Sequence, residues 1–120
     1  GKGAPTLSSW GTGAGASASP SAGSITGTDL FVIVSVTPSA SPAANSPIAS
    51  IAWSGGNGMF TTAPTCAVLA LNRNAYAAAS STAAGVIATG GVNGITLTSG
   101  ASTPLTADTT YLFGILVLGA

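Results

Sequence analysis

The sequence predicts an all-β fold: a small antiparallel β-sandwich, jelly-roll-like, of about seven or eight strands with a glycine-rich N-terminal arm. Three observations carry this. Apolar runs rich in Val, Ile, Leu and aromatic residues recur along the chain, each of strand length rather than helix length. Between them lie clusters of Gly, Pro, Asn and Ser, in a chain holding 17 Gly and 7 Pro; such clusters mark turns. Charge is nearly absent: two basic and two acidic residues make up 3% of 120 residues, and the net charge is zero. Ordinary soluble domains carry about 25% charged residues.

The length is that of one domain, able to bury roughly 65% of its unfolded surface. A neutral chain with so few charges tends to associate. Its surface is therefore read as taken up by identical neighbours, or covered by Ser, Thr and Gly hydroxyls and amides.

Residues 1–27 form the arm and residues 28–120 the sandwich domain. The arm is low in complexity, but Gly13-Ala14-Gly15-Ala16-Ser17-Ala18 alternates small residues as a flat, closely stacked strand does. Trp10 is its one large anchor, filling a gap in its own subunit or reaching a neighbour. A turn at Ile25-Thr26-Gly27-Thr28-Asp29 leads into a strand over residues 30–37, ended by Pro38. Residues 39–47 form a loop. In the strand over residues 48–54, Ala49, Ile51 and Trp53 share one face at period two.

The turn Gly55-Gly56-Asn57-Gly58 has neither the lysine nor the helix of a phosphate loop. A nearly continuous apolar strand follows over residues 65–72. Asn72-Arg73-Asn74-Ala75 breaks it, and the alanine run after Tyr76 forms one helical turn or a loop, too short to stand alone as a helix. Two short strands, residues 85–89 and 94–98, are joined through Asn93-Gly94, a hairpin signal. The final strand, over residues 109–119, is apolar on both faces: Tyr111, Phe113, Ile115 and Val117 on one, Leu112, Leu116 and Leu118 on the other. Gly114 leaves a gap on the second face. One face meets the opposite sheet, and the other is expected to be hidden by a neighbouring subunit.

Several function classes lose support. No apolar run reaches the ~20 residues of a spanning helix. Gly1-Lys2-Gly3, followed by Ala, Pro, Thr and Ser, does not read as a secretion signal. There is no basic excess to hold a phosphate backbone, so no nucleic-acid partner is expected. The chain has no histidine, which removes the usual general base and the commonest metal ligand. The carboxylates, Asp29 and Asp108, each precede a long apolar strand and are read as closing turns. Cys66, in an apolar run, is read as a small buried hydrophobe. No catalytic residue, cofactor or metal is expected. Arg73 is the most informative polar residue: with Tyr76 it contacts a glycan, a carboxylate or the next subunit, or it is a solvated charge or a clamp on Asp29 or Asp108.

Several stretches carry a resemblance. They are Gly11-Thr12-Gly13-Ala14-Gly15-Ala16 and Ala22-Gly23-Ser24-Ile25-Thr26-Gly27-Thr28-Asp29 near the start. In the middle stand Phe60-Thr61-Thr62-Ala63-Pro64-Thr65-Cys66-Ala67-Val68-Leu69 and Asn72-Arg73-Asn74-Ala75. Gly94-Ile95-Thr96-Leu97-Thr98 and Leu105-Thr106-Ala107-Asp108-Thr109-Thr110-Tyr111-Leu112-Phe113 close the series. In this order the sequence resembles the C-terminal domains of bacteriophage tail-fibre and related virion appendage proteins, small β-sandwiches that assemble as trimers. The final strand is more apolar, and the charge lower, than in such domains, which points to a more fully packed subunit such as a capsid decoration protein. The resemblance implies a virion structural protein, homotrimeric, whose partners are itself, other virion proteins and a host-surface glycan. It brings no catalytic residues. The expected interface residues are Trp10, Leu112, Leu116 and Leu118. Two other readings stand beside it: an extracellular or bacterial-surface filament subunit that polymerises by strand addition, and a glycan-binding module using Trp10, Trp53, Tyr76 and Tyr111 as platforms.

Overall fold

The computed structural model describes residues 3–56, 59–79 (Ala79 in its backbone only) and 85–118. Lys2, Asn57, Gly58, residues 80–84 and Gly119 lie outside the described residues. The eight strands are β1 (Thr6–Trp10), β2 (Ala22–Gly27), β3 (Phe31–Thr37), β4 (Pro47–Ala52), β5 (Thr65–Ala70), β6 (Ile87–Gly90), β7 (Gly94–Thr98) and β8 (Tyr111–Leu118). They form two four-stranded antiparallel sheets, ordered β1-β4-β7-β6 (the first sheet) and β2-β3-β8-β5 (the second). A small β-sandwich is the result, as the apolar runs predict. Only β2–β3 and β6–β7 are hairpins within a sheet; the other five connections cross from one sheet to the other.

Period-two burial shows why these segments become strands. Val32, Val34 and Val36 of β3 are fully buried and alternate with half-buried Phe31, Ile33 and Ser35. On β8, Tyr111, Phe113, Ile115 and Val117 point inward. They meet Ile48, Ala49 and Ile51 of β4, and Ile95 and Leu97 of β7, from the first sheet. Each such residue removed from water contributes about 1.5–3 kcal/mol, and this layer is the core. Ala49, Ile51 and Trp53 do share the inward face.

The arm differs from expectation. Its alternating stretch, 13–18, is not a strand: Thr12–Ala14 makes a 3-10 turn, with Gly13 and Ala14 buried. Here the chain must pass from β1 to β2 across the end of β4. A side chain at Gly11 would lie 2.2 Å from the Pro47 carbonyl oxygen, and Gly15 takes φ +146°, a region that favours glycine. The strands lie on either side, as edges of the two sheets. Trp10 of β1 is half-buried and lies over Gly23 of β2, where a Cβ would come within 2.4 Å of the ring. Trp10 therefore fills a gap in its own subunit, and is not on an outer sheet face.

The Asn93-Gly94 signal marks a hairpin, but the turn falls one residue earlier. Gly91 and Gly94 close it by a 2.8 Å hydrogen bond. Val92 and Asn93 stand at its tip, neither with positive φ. Gly94 is spent on packing, since a Cβ there would lie 2.0 Å from the Ile51 carbonyl oxygen.

The alanine run forms α1 (Arg73–Ala79). Asn72 starts it: its Oδ1 accepts from the Ala75 N–H at 2.8 Å, as a helix cap does. Ala75 is buried, and Ala78 packs on the core. Tertiary support holds a helix that would not stand in isolation.

Candidate functional site: an uncovered apolar sheet face

The outward positions of the second sheet follow from its register. β3 pairs with β8 as Phe31↔Leu116, Ile33↔Gly114 and Ser35↔Leu112, and β5 pairs with β8 as Thr65↔Leu118, Ala67↔Leu116 and Leu69↔Gly114. Side chains opposite one another share a face, so Phe31, Ile33, Ala67, Leu69, Leu116 and Leu118 lie together. Leu112 adds to this face at one end and Leu71 continues it beyond β5. Leu69, Leu71, Leu116 and Leu118 are 42%, 40%, 38% and 48% exposed; Leu112 is half-buried. None of these positions carries an ionisable group. The two faces of β8 divide as the alternation predicts, inner buried and outer open in the single chain.

One detail of that face is a correction. The gap at Gly114 is filled from within the chain, since a Cβ there would lie 2.7 Å from the Phe31 ring and 3.3 Å from Leu71. An aromatic laid over a cross-strand glycine covers exposed backbone. The face is thereby continuous, without a notch for another chain to enter.

The first sheet presents a different surface. Ser8, Ser50, Ala52, Thr89, Gly94 and Thr96 line a shallow depression of about 500 Å³ beside the Gly91–Asn93 loop. Ser50, Thr96 and Thr89 are direct cross-strand neighbours on three strands. The lining mixes these hydroxyls and the Asn93 amide with aliphatic Ile51, Val92 and Ile95, and holds no charge and no aromatic ring.

Polar residues singled out in the sequence are spent on structure. Asp29 is fully buried. Its Oδ1 accepts from the Ser54 N–H at 3.0 Å, and its Oδ2 from the Ser54 hydroxyl. Its own N–H donates to the Gly3 carbonyl at 3.0 Å. The role is thus larger than closing a local turn: it joins the β2–β3 turn to the end of β4 and to the N-terminal segment. Asp108 is exposed at φ +60°, a conformation Asp tolerates in turns. Its N–H donates to the Pro38 carbonyl at 2.8 Å.

Asn72 and Asn74 both donate to the Thr110 carbonyl, at 3.1 and 2.9 Å, and Asn72 Oδ1 also accepts from the Leu112 N–H. The Asn-Arg-Asn motif thus fastens α1 to the start of β8. Arg73 is exposed on that helix. It does not clamp Asp29, whose carboxylate is buried with Ser54. Tyr76 is 67% exposed on the same helix. Arg73 and Tyr76 are not among the outward register positions of the second sheet, and Trp10 lies over Gly23 instead.

Cys66 is half-buried on the inward side of β5, and burial pushes its thiol above the ordinary value. Thiolate is the reactive form, so labelling at pH 8 should be slower than for free cysteine and should gain rate at higher pH than the free thiol does. The sign follows for stability: the favourable burial of the thiol is fully present below the unfolded pKa and lost as pH rises through the folded one. Timed reaction with a maleimide or disulfide reagent across pH 7–10 checks it; a rate matching free cysteine would contradict it.

Among the described residues no three of His, Cys, Asp and Glu gather as a metal site. No helix among them is long and apolar enough to cross a membrane. Sequence reasoning pointed to the leucines of β8 but missed their partners on β3 and β5. Period-two alternation in residues 65–71 could have supplied Leu69 and Leu71. Compared with family models, curated proteins and solved structures, the chain has no match.

Proposed function

We propose that this chain is a structural subunit of a virion, an appendage domain or capsid-surface protein, that acts by self-association as a trimer. The observation that carries the reading is the apolar outer face of the second sheet. A contiguous apolar patch of a few hundred Å² is often the functional surface of the protein that carries it, and obligate oligomer interfaces look like halved cores. With four charged residues in the whole chain, little electrostatic repulsion opposes contact between copies. The order of the glycine-alanine opening, the Asp29 turn, the Cys66 strand and the closing β8 supports the virion setting through its resemblance to tail-fibre domains. The supporting chemistry is mechanical rather than catalytic.

Sedimentation and light scattering of the purified chain should give a discrete oligomer with three times the chain mass of 11.3 kDa. Leu116→Asp should shift that population to monomer, weakening association by at least about 100-fold, since it desolvates a carboxylate in an apolar contact. Leu116 is 38% exposed in the single chain, so the variant should keep its β-sheet circular dichroism. A wild-type chain that stays monomeric at high concentration would overturn self-association. Peptides of this chain in purified virus particles from the source culture would support the virion setting, and their absence there would count against it.

A further inference from the structure

We propose that Asn93 is a site of spontaneous modification: the Gly94 backbone nitrogen displaces ammonia from its side chain, and water then leaves an aspartate or an isoaspartate in its place. The inference is independent of self-association and rests on the tip of the β6–β7 hairpin.

The reaction needs a free asparagine side chain, an unhindered nitrogen after it and access to solvent. Asn93 is exposed at the tip. Among the described residues no hydrogen bond holds its side-chain amide, whereas the amides of Asn72 and Asn74 both donate to the Thr110 carbonyl. Gly94 has no side chain to shield its nitrogen. Packing keeps it a glycine, since a Cβ would lie 2.0 Å from the Ile51 carbonyl oxygen.

The Gly94 N–H is also uncommitted on both sides. Toward β4 it pairs with Ala52, and the flanking bond runs from the Trp53 N–H to the Asn93 carbonyl at 3.3 Å. In such a pair neither N–H is aimed at the partner strand. Toward β6 the turn closes from the Gly91 N–H to the Gly94 carbonyl. The opposite acceptor, the Gly91 carbonyl, takes the Trp53 indole N–H at 2.9 Å.

In the first step the Gly94 nitrogen bonds to Asn93 Cγ and the Cγ–Nδ2 bond breaks. Nδ2 leaves as ammonia, carrying the Gly94 amide proton, and a cyclic imide remains. Water attack at Cγ restores the main chain and gives aspartate; attack at the α-carbonyl carbon gives isoaspartate. The sum is amide plus water to carboxylic acid plus ammonia, with no oxidant or cofactor. The acid is ionised at neutral pH, so the net charge passes from zero to −1. That charge stands at the rim of the first-sheet depression, whose lining otherwise has none. Isoaspartate does more: the main chain then runs through Cγ, and the carbonyl that accepts the Trp53 N–H becomes a free carboxylate. The hairpin loses a fixed point on β4.

The test incubates the wild-type chain in mildly alkaline buffer and follows it by peptide mapping, with an isoaspartate-specific methyltransferase to tell the products apart. Trypsin cuts after Arg73, which separates Asn93 from Asn57-Gly58, the same dipeptide outside the described residues. Asn93 should convert to a mixture of aspartate and isoaspartate, faster as pH rises, while Asn74 on the same peptide stays intact. Conversion in the native protein should be within about tenfold of that in urea, because a hairpin tip opens at little cost. Asn93→Gln should remain unmodified at position 93. The isoaspartate form should unfold at lower urea than Asn93→Asp, which adds the charge without the altered main chain; equal midpoints would overturn the loss of the Trp53 contact. Native conversion slower than that tenfold limit, or aspartate as the sole product, would overturn the proposal.

Discussion

Trp53→Ala is expected to cost about 3–5 kcal/mol, the range for emptying a large aromatic from a packed core. A domain of this size has only about 5–15 kcal/mol in total, so the variant should be largely unfolded near physiological temperature. Trp53 is 2% exposed, just beyond β4. Its indole N–H donates to the Gly91 carbonyl at 2.9 Å, and its ring meets Phe60 edge-on at 4.8 Å. Its backbone N–H donates to the Asn93 carbonyl. One side chain therefore holds the β6–β7 hairpin and the segment entering β5 onto the core. Trp53→Phe keeps most of the apolar contact but loses the Gly91 hydrogen bond, and should cost about 1–2 kcal/mol. Urea denaturation followed by circular dichroism ranks the two; an alanine variant within 1 kcal/mol of wild type would show that the core collapses around the gap.

Asp29→Ala should destabilise by about 2–4 kcal/mol. The carboxylate is fully buried and accepts from both the Ser54 N–H and the Ser54 hydroxyl. Hydrogen bonds to charged groups contribute about 1.5–3 kcal/mol, and truncation also strands a backbone donor. Asp29→Asn preserves shape and one acceptor for the Ser54 N–H, while its amide can donate to the hydroxyl. It should cost about half as much. Because Asp29 ties three segments distant in sequence, the loss should appear as a lower urea midpoint at an unchanged slope. Equal losses in the two variants would show that packing, and not the hydrogen bonds, is what Asp29 supplies.

How far the fold was legible depended on burial pattern. β3, β4, β5, β7 and β8 alternate buried and exposed positions or run apolar throughout, and their sequences carry that imprint. β1 and β2 do not. As edge strands rich in Ser, Gly and Thr, they are mostly exposed, so no apolar period announces them, and the neighbouring Gly-Ala alternation drew attention to the wrong segment. Sheet order was also illegible, because nothing in β8 alone says that β3 and β5 flank it. The buried role of Asp29 depends on Ser54, 25 positions away, a pairing that only the tertiary fold creates. Gly114 shows the same limit: the gap is real in sequence, and its occupant, Phe31, arrives from a strand far upstream. For the candidate site, the outward leucines of β8 followed from alternation alone. The exclusion of Trp10 from the outer face, and the structural duties of the asparagines beside Arg73, required the coordinates.

The position of β8 bears on how the molecule is made. It lies between β3 and β5, which have no other strand pairing to each other. Until residues 111–118 have left the ribosome, the second sheet exists as a β2–β3 hairpin and an unpartnered β5. The crossing connections between the sheets add to the delay, since contacts between distant residues form slowly. The second sheet is therefore completed only once β8 has emerged, with the apolar runs of β3 and β5 awaiting their central partner. Such a chain is most prone to aggregate in that interval, so its yield in a cell should depend on chaperone supply and on how quickly β8 arrives.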